Sequence, residues 1–513
     1  MPMTRSEFLR FLAYGAATTL ASGLQAAHQQ PDGQKAKRQR SPNIVFILAD
    51  DLGYGDLIFL NAKSKIRTPN IERMAAEGVV FRDAHAPSAV CTPTRYGVMT
   101  GRYCWRTPLT AGVLAGGSPP LIEPGRMTVA SLLKQNGYAT ACVGKWHLGL
   151  DWVTTDGKRV EDAMGNVDFR KPFGRGPKTL GFDYYYGISA SLDMPPYTYL
   201  ENDRATELPT SVTQGEPKMP RNWRLGPLAP GFKHQEVLSR LTEKAVGWID
   251  GWAKQKSGKP FFLCFALNAP HTPVLPRDEF KGRTGAGDYG DFVTEVDWTV
   301  GQVLEAVGRA GAAENTLVIL ASDNGPENIA YPRAQEYKHY SMGDLRGVKR
   351  DLWEGGHRVP FQARWPGKIK PGTVSDEIVC LTDLMATCAA LTGARLPDDA
   401  GEDSYNILPA LSGQKLAKPI REATVLHSSQ GQLAIRQGPW LFIDHRTGEN
   451  SREPDWFKKE RAYQPHQFPG ELYNLSNDLA EHNNLYGERP DVAQKLKALL
   501  EKYKAEGRSA PRR

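Results

Sequence analysis

A run of apolar residues at 43–49 ends in two adjacent aspartates, Asp50 and Asp51, and this pattern restricts the fold more than any other. Continuous apolar runs of this length are typical of strands buried on both faces of a parallel sheet. Similar runs recur at 138–143, 260–267 and 316–321. Helical patterns separate these runs, at 71–77, 128–136, 238–252 and 292–310. Strands that alternate with helices predict an α/β sandwich with a mostly parallel sheet.

The pattern changes after about residue 396, where shorter elements begin. Short strands are predicted at 423–427, 433–437 and 440–444. A long charged loop follows, then the segment 471–475 and a final helix at 492–503. We therefore expect a large α/β domain over 42–395 and a smaller α+β domain over 396–513. A chain of 513 residues is long enough for both.

The N-terminus has the pattern of a targeting segment. Arg5 and Arg10 flank an apolar stretch that ends near residue 24, and Ala26-Ala27 provides a cleavage site. This predicts an export signal over 1–27, followed by a basic linker over 28–41. The alternative is a frayed amphipathic helix. No later stretch approaches the length of a membrane span, so we expect an exported chain, periplasmic or secreted, without a membrane span.

The net charge and the cysteine content limit which substrates, partners and disulfide bonds are expected for this chain. The net charge of +7 fits an anionic substrate. We expect no nucleic-acid partner, because no Lys/Arg-rich helix carries interleaved aromatic residues. The chain has six cysteines, and Cys142 and Cys264 lie in apolar runs, where they are expected to be buried small hydrophobic residues rather than half-cystines.

Carboxylates follow two of the predicted strands. Asp50 and Asp51 end the first, and Asp323 and Asn324 end the run at 316–321. Each pair alone is compatible with a turn. Adjacent carboxylates are costly to bury unless a cation neutralises them. Three carboxylates and one amide carbonyl form an all-oxygen ligand set, which favours calcium, with magnesium as the alternative, over zinc.

One motif is the most specific indicator of function. Cys91-Thr92-Pro93-Thr94-Arg95, followed by Thr100-Gly101-Arg102, resembles the formylglycine signature of the sulfatase family. The resemblance implies that a formylglycine-generating enzyme oxidises Cys91 to an aldehyde, whose hydrate provides the nucleophile. It also implies that residue 91 completes the calcium shell and that Arg95 stabilises the hydrate. Related phosphatases and phosphodiesterases typically carry a histidine after the aspartate, where this chain has Asn324.

Three further segments resemble sulfatases in the expected chain order. They are Gly144-Lys145-Trp146-His147, Ala269-Pro270-His271-Thr272-Pro273, and Gly347-Val348-Lys349 with the following run Trp353 to Pro360. Alone, each could be a surface lysine, a packed histidine or a turn. The resemblance implies that Lys145 and Lys349 bind the sulfate group. It also implies that His271 protonates the leaving alcohol and that His147 is the base that releases sulfate.

The substrate contacts are less well defined. Ser191 matches the pocket serine of the family, and we consider Asp193 and His427 further candidate contacts. The joint resemblance implies an alkaline-phosphatase-like sandwich and a sulfuric ester hydrolase acting on a sulfated carbohydrate or an aryl sulfate. The alternatives are a phosphonate or phosphate ester hydrolase of the same superfamily and an inactive binder of sulfated glycans.

Overall fold

A computed structural model describes residues 41–512 of the chain. The predicted export signal, 1–27, and residues 28–40 of the predicted linker lie outside the described residues. Within the described part, no helix combines the length and the apolar character needed to cross a bilayer.

The strands of the described chain follow one another from Asn43 to Asn474. They are β1 Asn43–Asp50, β2 Val79–Phe81, β3 Ala84–His85, β4 Ala139–Lys145, β5 Tyr184–Ile188, β6 Leu200–Glu201, β7 Arg204–Ala205, β8 Ser211–Thr213, β9 Gly226–Leu228, β10 Phe261–Pro270, β11 Thr316–Ser322, β12 Phe361–Arg364, β13 Thr373–Ser375, β14 Val379–Cys380, β15 Thr424–His427, β16 Leu433–Gln437, β17 Trp440–Ile443 and β18 Glu471–Asn474.

The α-helices lie between these strands and at the C-terminus. They are α1 Pro69–Ala76, α2 Cys91–Thr100, α3 Val129–Gln135, α4 Val237–Gln255, α5 Gly287–Arg309, α6 Ala330–Tyr337, α7 Glu354–His357, α8 Leu384–Thr392, α9 Leu408–Leu411, α10 Asp455–Glu460 and α11 Pro490–Glu506. Short 3-10 turns connect several of them.

A ten-stranded sheet forms the centre, in the order β13-β2-β12-β11-β1-β10-β4-β5-β6-β7. The five neighbours β11, β1, β10, β4 and β5 run parallel. β12 pairs antiparallel with β11, and β6 pairs antiparallel with β5. The mixed, mostly parallel sheet confirms the predicted α/β class.

Both faces of this sheet are covered, which explains why its central strands lack an apolar–polar alternation. In β1, Ile44 and Phe46 belong to one hydrophobic core, and Val45 and Ile47 belong to the core on the other face. Helices α2, α3 and α8 contribute to the first core, and α1, α4 and α5 contribute to the second.

A smaller four-stranded antiparallel sheet, β15-β16-β17-β18, forms near the C-terminus. Helix α11 packs on it through Ala493, Leu496 and Leu500, which share a core with Val425 and Ile435. This arrangement confirms the predicted smaller α+β region. The residue at which a separate domain begins, predicted at 396, stays a prediction.

All six cysteines are free thiols, and all are buried. Cys142 and Cys264 are neighbours in register on β4 and β10, at the centre of the sheet. They fill the sheet interior as small apolar side chains, as their sequence setting predicts.

Candidate active site

Four strand ends bring the candidate groups together at one edge of the central sheet. Asp50 ends β1, and Lys145 ends β4. Asp323 follows β11 directly, and His271 follows β10 directly. These four strands are parallel neighbours, so their carboxyl ends meet at the edge where open α/β sheets bind ligands.

Cys91 begins helix α2 and lies at the base of a cavity of about 420 Å³. Its side chain is buried, and its sulfur lies within 4.8 Å of one carboxylate oxygen of Asp50 and one of Asp323. Burial raises the pKa of the Cys91 thiol, and this effect exceeds the opposing effect of Lys145 and Lys349. An unmodified Cys91 therefore stays protonated at neutral pH, where it is a poor nucleophile.

Two buried oxygens of the predicted ligand set have no hydrogen-bond partner among the described residues. They are Oδ1 of Asp50 and Oδ1 of Asn324. The Nδ2 group of Asn324 donates to Asp51 Oδ1 at 2.7 Å and to the Gly325 carbonyl at 2.8 Å, which fixes the orientation of the amide. Buried oxygens are normally hydrogen-bonded, so two unpartnered ones among carboxylates fit the ligand set of a hard cation.

Two lysines flank the carboxylates from opposite sides. Lys145 Nζ donates to Asp50 Oδ2 at 2.6 Å and to Ser191 Oγ at 2.5 Å. Lys349 Nζ lies 2.9 Å from Asp51 Oδ2 and 2.8 Å from its Oδ1. Both lysine side chains are buried, and Lys349 lines the cavity.

Arg95 connects Asp323 to the strand that carries Lys145. Its Nε and Nη2 donate to Asp323 Oδ2 at 3.0 and 2.8 Å, and its Nη1 donates to the Lys145 carbonyl at 2.9 Å. Burial, with a further contribution from Asp50, raises the pKa of Asp323 to about 7. Burial alone would also raise the pKa of Asp50, but Lys145 and the neighbouring cations hold it well below its usual range. The two carboxylates thus differ in proton affinity.

The two histidines present different nitrogens to the site. The Nδ1 atom of His271 lies 2.5 Å from the Thr272 carbonyl, so Nδ1 carries the proton and Nε2 faces Ser191 Oγ at 3.4 Å. The Nε2 atom of His147 lies 2.7 Å from the Leu114 carbonyl and carries the proton for the same reason. His147 Nδ1 is buried without a partner among the described residues. Burial lowers the pKa of His147 well below its usual value, so it is neutral at neutral pH and can act as a base.

The candidate substrate contacts divide into two groups. Ser191 and Asp193 both line the cavity, and Asp193 Oδ2 accepts from Arg224 Nη2 at 3.3 Å. His427 is buried, and its Nε2 lies 2.8 Å from the Thr110 carbonyl. Its neighbour Ser429 lines the cavity. The role of His427 as a substrate contact stays a prediction.

Several residues that line the cavity were not predicted from the sequence. Glu327 and Arg350 form a two-pronged ion pair at the cavity wall, in which Arg350 Nη2 donates to Glu327 Oε2 at 2.8 Å. Glu327 also lies 3.5 Å from Lys349 Nζ. Glu327 lies three positions after Asn324, and Arg350 directly follows Lys349. This proximity to predicted site residues was the one sequence feature that could have indicated them. Arg224 and Asn222 also line the cavity, and no sequence motif pointed to them.

Comparison with known proteins agrees with this geometry. A model of the protein family described as Sulfatase matches residues 42–394. An N-acetylgalactosamine-6-O-sulfatase of Bacteroides thetaiotaomicron is 33% identical, over 94% of this chain and 97% of the relative. Human arylsulfatase A is 34% identical, over 90% of this chain and 87% of the relative. A solved chain from work on the metabolism of multiple glycosaminoglycans by Bacteroides thetaiotaomicron superposes with a TM-score of 0.76 at 32% identity, covering 91% of this chain and 100% of its own length.

Proposed function

The chain belongs to the sulfatase family, a family of sulfuric ester hydrolases, and on that premise we propose that it hydrolyses carbohydrate sulfates through a formylglycine at position 91 and a calcium ion. The observation that carries the proposal is the grouping of Cys91 with the carboxylates of Asp50 and Asp323, one of which has an unpartnered oxygen, while a buried lysine contacts Asp50. This group can bind a cation and a sulfuryl group side by side.

The proposed calcium ligands are the side chains of Asp50, Asp51, Asp323 and Asn324, together with residue 91. The unpartnered Oδ1 atoms of Asp50 and Asn324 support this assignment, because each lacks the hydrogen bond that a buried oxygen otherwise requires. The all-oxygen donor set favours calcium, with magnesium as the alternative. When bound, the ion would supply Lewis-acid stabilisation of developing negative charge.

The hydrated aldehyde at position 91 would supply the attacking oxygen. Asp323 is the proposed acceptor of its first proton, which fits a carboxylate whose pKa is raised to about 7. Arg95, which donates to Asp323 with two nitrogens, would hold that carboxylate in place and stabilise the hydrate. Lys145 and Lys349 would balance the charge on the sulfuryl oxygens in the transition state.

The two histidines are assigned to the two halves of the reaction. His271 Nε2 faces the cavity and would protonate the departing alcohol. His147 Nδ1 is unprotonated and unpartnered, and would take the remaining hydroxyl proton as sulfate leaves. Loss of that proton allows the C=O bond of the aldehyde to form as the C–O bond to the sulfate group breaks, so sulfate leaves without an attacking water. A sulfated serine has no second hydroxyl and would need one.

A sugar sulfate is the proposed substrate class. The bacterial relative named an N-acetylgalactosamine-6-O-sulfatase supports a carbohydrate. The cavity supports it as well, because Asp193 and Arg224 provide an acceptor and a donor beyond the sulfate-binding lysines. Hydroxyl groups of a sugar are recognised by such fixed polar groups. We further propose that the protein is exported and that a formylglycine-generating enzyme acts on Cys91 during maturation.

A substrate screen tests the proposal. Sulfated mono- and disaccharides that differ in sulfate position should be hydrolysed with a clear preference for one position. On one alcohol, the sulfate ester should be turned over with higher kcat/KM than the phosphate or phosphonate ester. A higher kcat/KM on the phosphorus ester would support the phosphoesterase alternative, and no turnover of any sulfate ester would support a binding protein.

A further inference from the structure

Asp51 has an unusual backbone conformation for a metal ligand. Its φ angle is 67°, in the left-handed region that residues other than glycine rarely adopt. Such conformations persist only where surrounding contacts hold them. On one side, the Asp51 amide donates to Asp323 Oδ1 at 3.3 Å and the Leu52 amide donates to Ser322 Oγ at 2.9 Å. These contacts bind the backbone of Asp51 to the end of β11.

On the other side, a buried network holds the turn that follows Asp51. Its centre is Asp56, whose Oδ2 accepts from the Gly53 amide at 2.8 Å and from Tyr289 Oη at 2.6 Å. Tyr289 Oη also lies 3.1 Å from the Asp51 carbonyl, so the phenol bridges the two aspartates. Helix α5, which carries Tyr289, thereby fixes the peptide group of a proposed calcium ligand.

The remaining oxygen of Asp56 is held by His339. His339 Nε2 lies 2.8 Å from Asp56 Oδ1, and His339 Nδ1 accepts from the Lys65 amide at 3.2 Å. Because a backbone amide can only donate, Nδ1 is unprotonated and Nε2 carries the proton toward Asp56. The contact with His339 lowers the pKa of Asp56 despite its burial, so this carboxyl is ionised and can accept three hydrogen bonds.

Arg333 contacts the network through the ring of Tyr289. Its guanidinium carbon lies 3.5 Å from the centre of the Tyr289 ring, and its Nη2 donates to Ser341 Oγ at 2.8 Å. The cation fixes the plane of the phenol ring. All members of the network are buried, and none of them lines the cavity at Cys91. A role in substrate contact therefore does not account for them.

We propose that Asp56, Tyr289 and His339 are positioning residues that preset Asp51 for cation binding. The inference rests on the proposed calcium site. Without the network, the turn after Asp51 relaxes toward ordinary backbone angles, and the Asp51 carboxylate no longer points at the cation. Groups that orient metal ligands in this way typically contribute about 10–100-fold to metal affinity.

Tyr289→Phe provides the test, because it removes one hydroxyl and keeps the ring under Arg333. Tyr185→Phe is the matched control, since Tyr185 is equally buried and donates to the Ile188 carbonyl at 3.0 Å, away from Asp51. The measurement is the calcium Kd of each purified protein, by titration against a chelating indicator. We expect Tyr289→Phe to weaken calcium binding about 10–100-fold and Tyr185→Phe to leave it within twofold of the starting protein. Excess calcium should restore the kcat of Tyr289→Phe.

A thermal melt in chelator separates positioning from general loss of stability. Both variants should lose similar stability without calcium, and only Tyr289→Phe should lose calcium-dependent stabilisation. If Tyr289→Phe does not fold, Asp56→Asn provides the same comparison. A calcium Kd of Tyr289→Phe equal to that of Tyr185→Phe would overturn this inference and leave the calcium site standing. Absence of calcium binding by the unaltered protein would overturn both.

Discussion

Replacement of His271 by alanine tests the assignment of the leaving-group acid. The Thr272 carbonyl, 2.5 Å from Nδ1, fixes the ring so that Nε2 faces the cavity. Nε2 lies 3.7 Å from Asp51 Oδ2 and 3.4 Å from Ser191 Oγ, so the doubly protonated ring, with Nδ1 still donating to Thr272, would carry its second proton on Nε2 beside a carboxylate. His271→Ala removes that proton and leaves both lysines in place.

The size of the effect depends on the alcohol. Loss of a general acid costs about 10²–10⁴-fold in rate, which corresponds to about 3–5 kcal/mol of transition-state stabilisation. An alkyl or sugar alcohol leaves poorly without a proton, so its sulfate should show the whole loss. A nitrophenolate leaves readily, so nitrophenyl sulfate should lose much less. The melting temperature of the variant should be measured alongside, because His271 is buried and its loss can also affect stability.

Single-turnover cleavage of both esters, with the chemical step limiting in each, is the assay. His147→Ala is the matched control, because it removes the other buried histidine, which is assigned to the second half of the reaction. That variant should release the first equivalent of alcohol in a burst and then turn over slowly, by a similar factor for both esters. Equal losses for His271→Ala on the sugar sulfate and the nitrophenyl sulfate would show that His271 is not the leaving-group acid.

Three further predictions follow from residues of the site and of the fold. Mass spectrometry of active protein should find an aldehyde or its hydrate in the peptide that contains residue 91, and full activity with unmodified Cys91 would contradict the mechanism. Metal analysis should find calcium or magnesium, and Asn324→Ala should weaken its binding because the unpartnered Oδ1 is removed; stoichiometric zinc at this site would favour a phosphoesterase instead. Burial raises the pKa of Glu453 from its ordinary value of 4.5 to about 7, so the folded state binds more protons than the unfolded state between those values. The free energy of unfolding should therefore fall with rising pH in that window, by on the order of 1 kcal/mol per pH unit, and Glu453→Gln should remove this part of the slope; denaturant titrations that give the same slope for both proteins would refute it.

The central strands were readable from the sequence because burial on both faces produces continuous apolar runs. The predicted runs at 43–49 and 316–321 differ from β1 and β11 by one residue at one end. The prediction ended the run at 260–267 too early, since β10 continues to Pro270. Backbone pairing extends that strand through Asn268 and Ala269 to the residue before His271, and a hydrophobicity pattern does not report backbone pairing.

The members of the active site could be proposed from motifs, but their contacts could not. Lys145 and Asp50 are 95 residues apart, and Lys349 and Asp51 are 298 apart, so only the folded sheet brings each pair together. The network around Asp56 could not be predicted from the sequence, because its partners Tyr289 and His339 lie in a helix and a loop without a recognisable motif. Hydrogen-bond networks of this kind depend on tertiary geometry rather than on spacing.

The position of β1 between β10 and β11 also determines when β1 can pair with its neighbours during synthesis of the protein. The side chain of Asn43 bonds to that of Thr316, which is made 273 residues later. At about 5–20 residues per second, a ribosome needs roughly 14–55 s to reach that partner. The apolar strand β1 has neither neighbour until β10 is made at residues 261–270, and it gains the second only when β11 follows. Cys91 is made before either neighbour of β1, and the finished fold buries it to 3% exposure, so an enzyme acting on this residue would find it more accessible before the sheet closes.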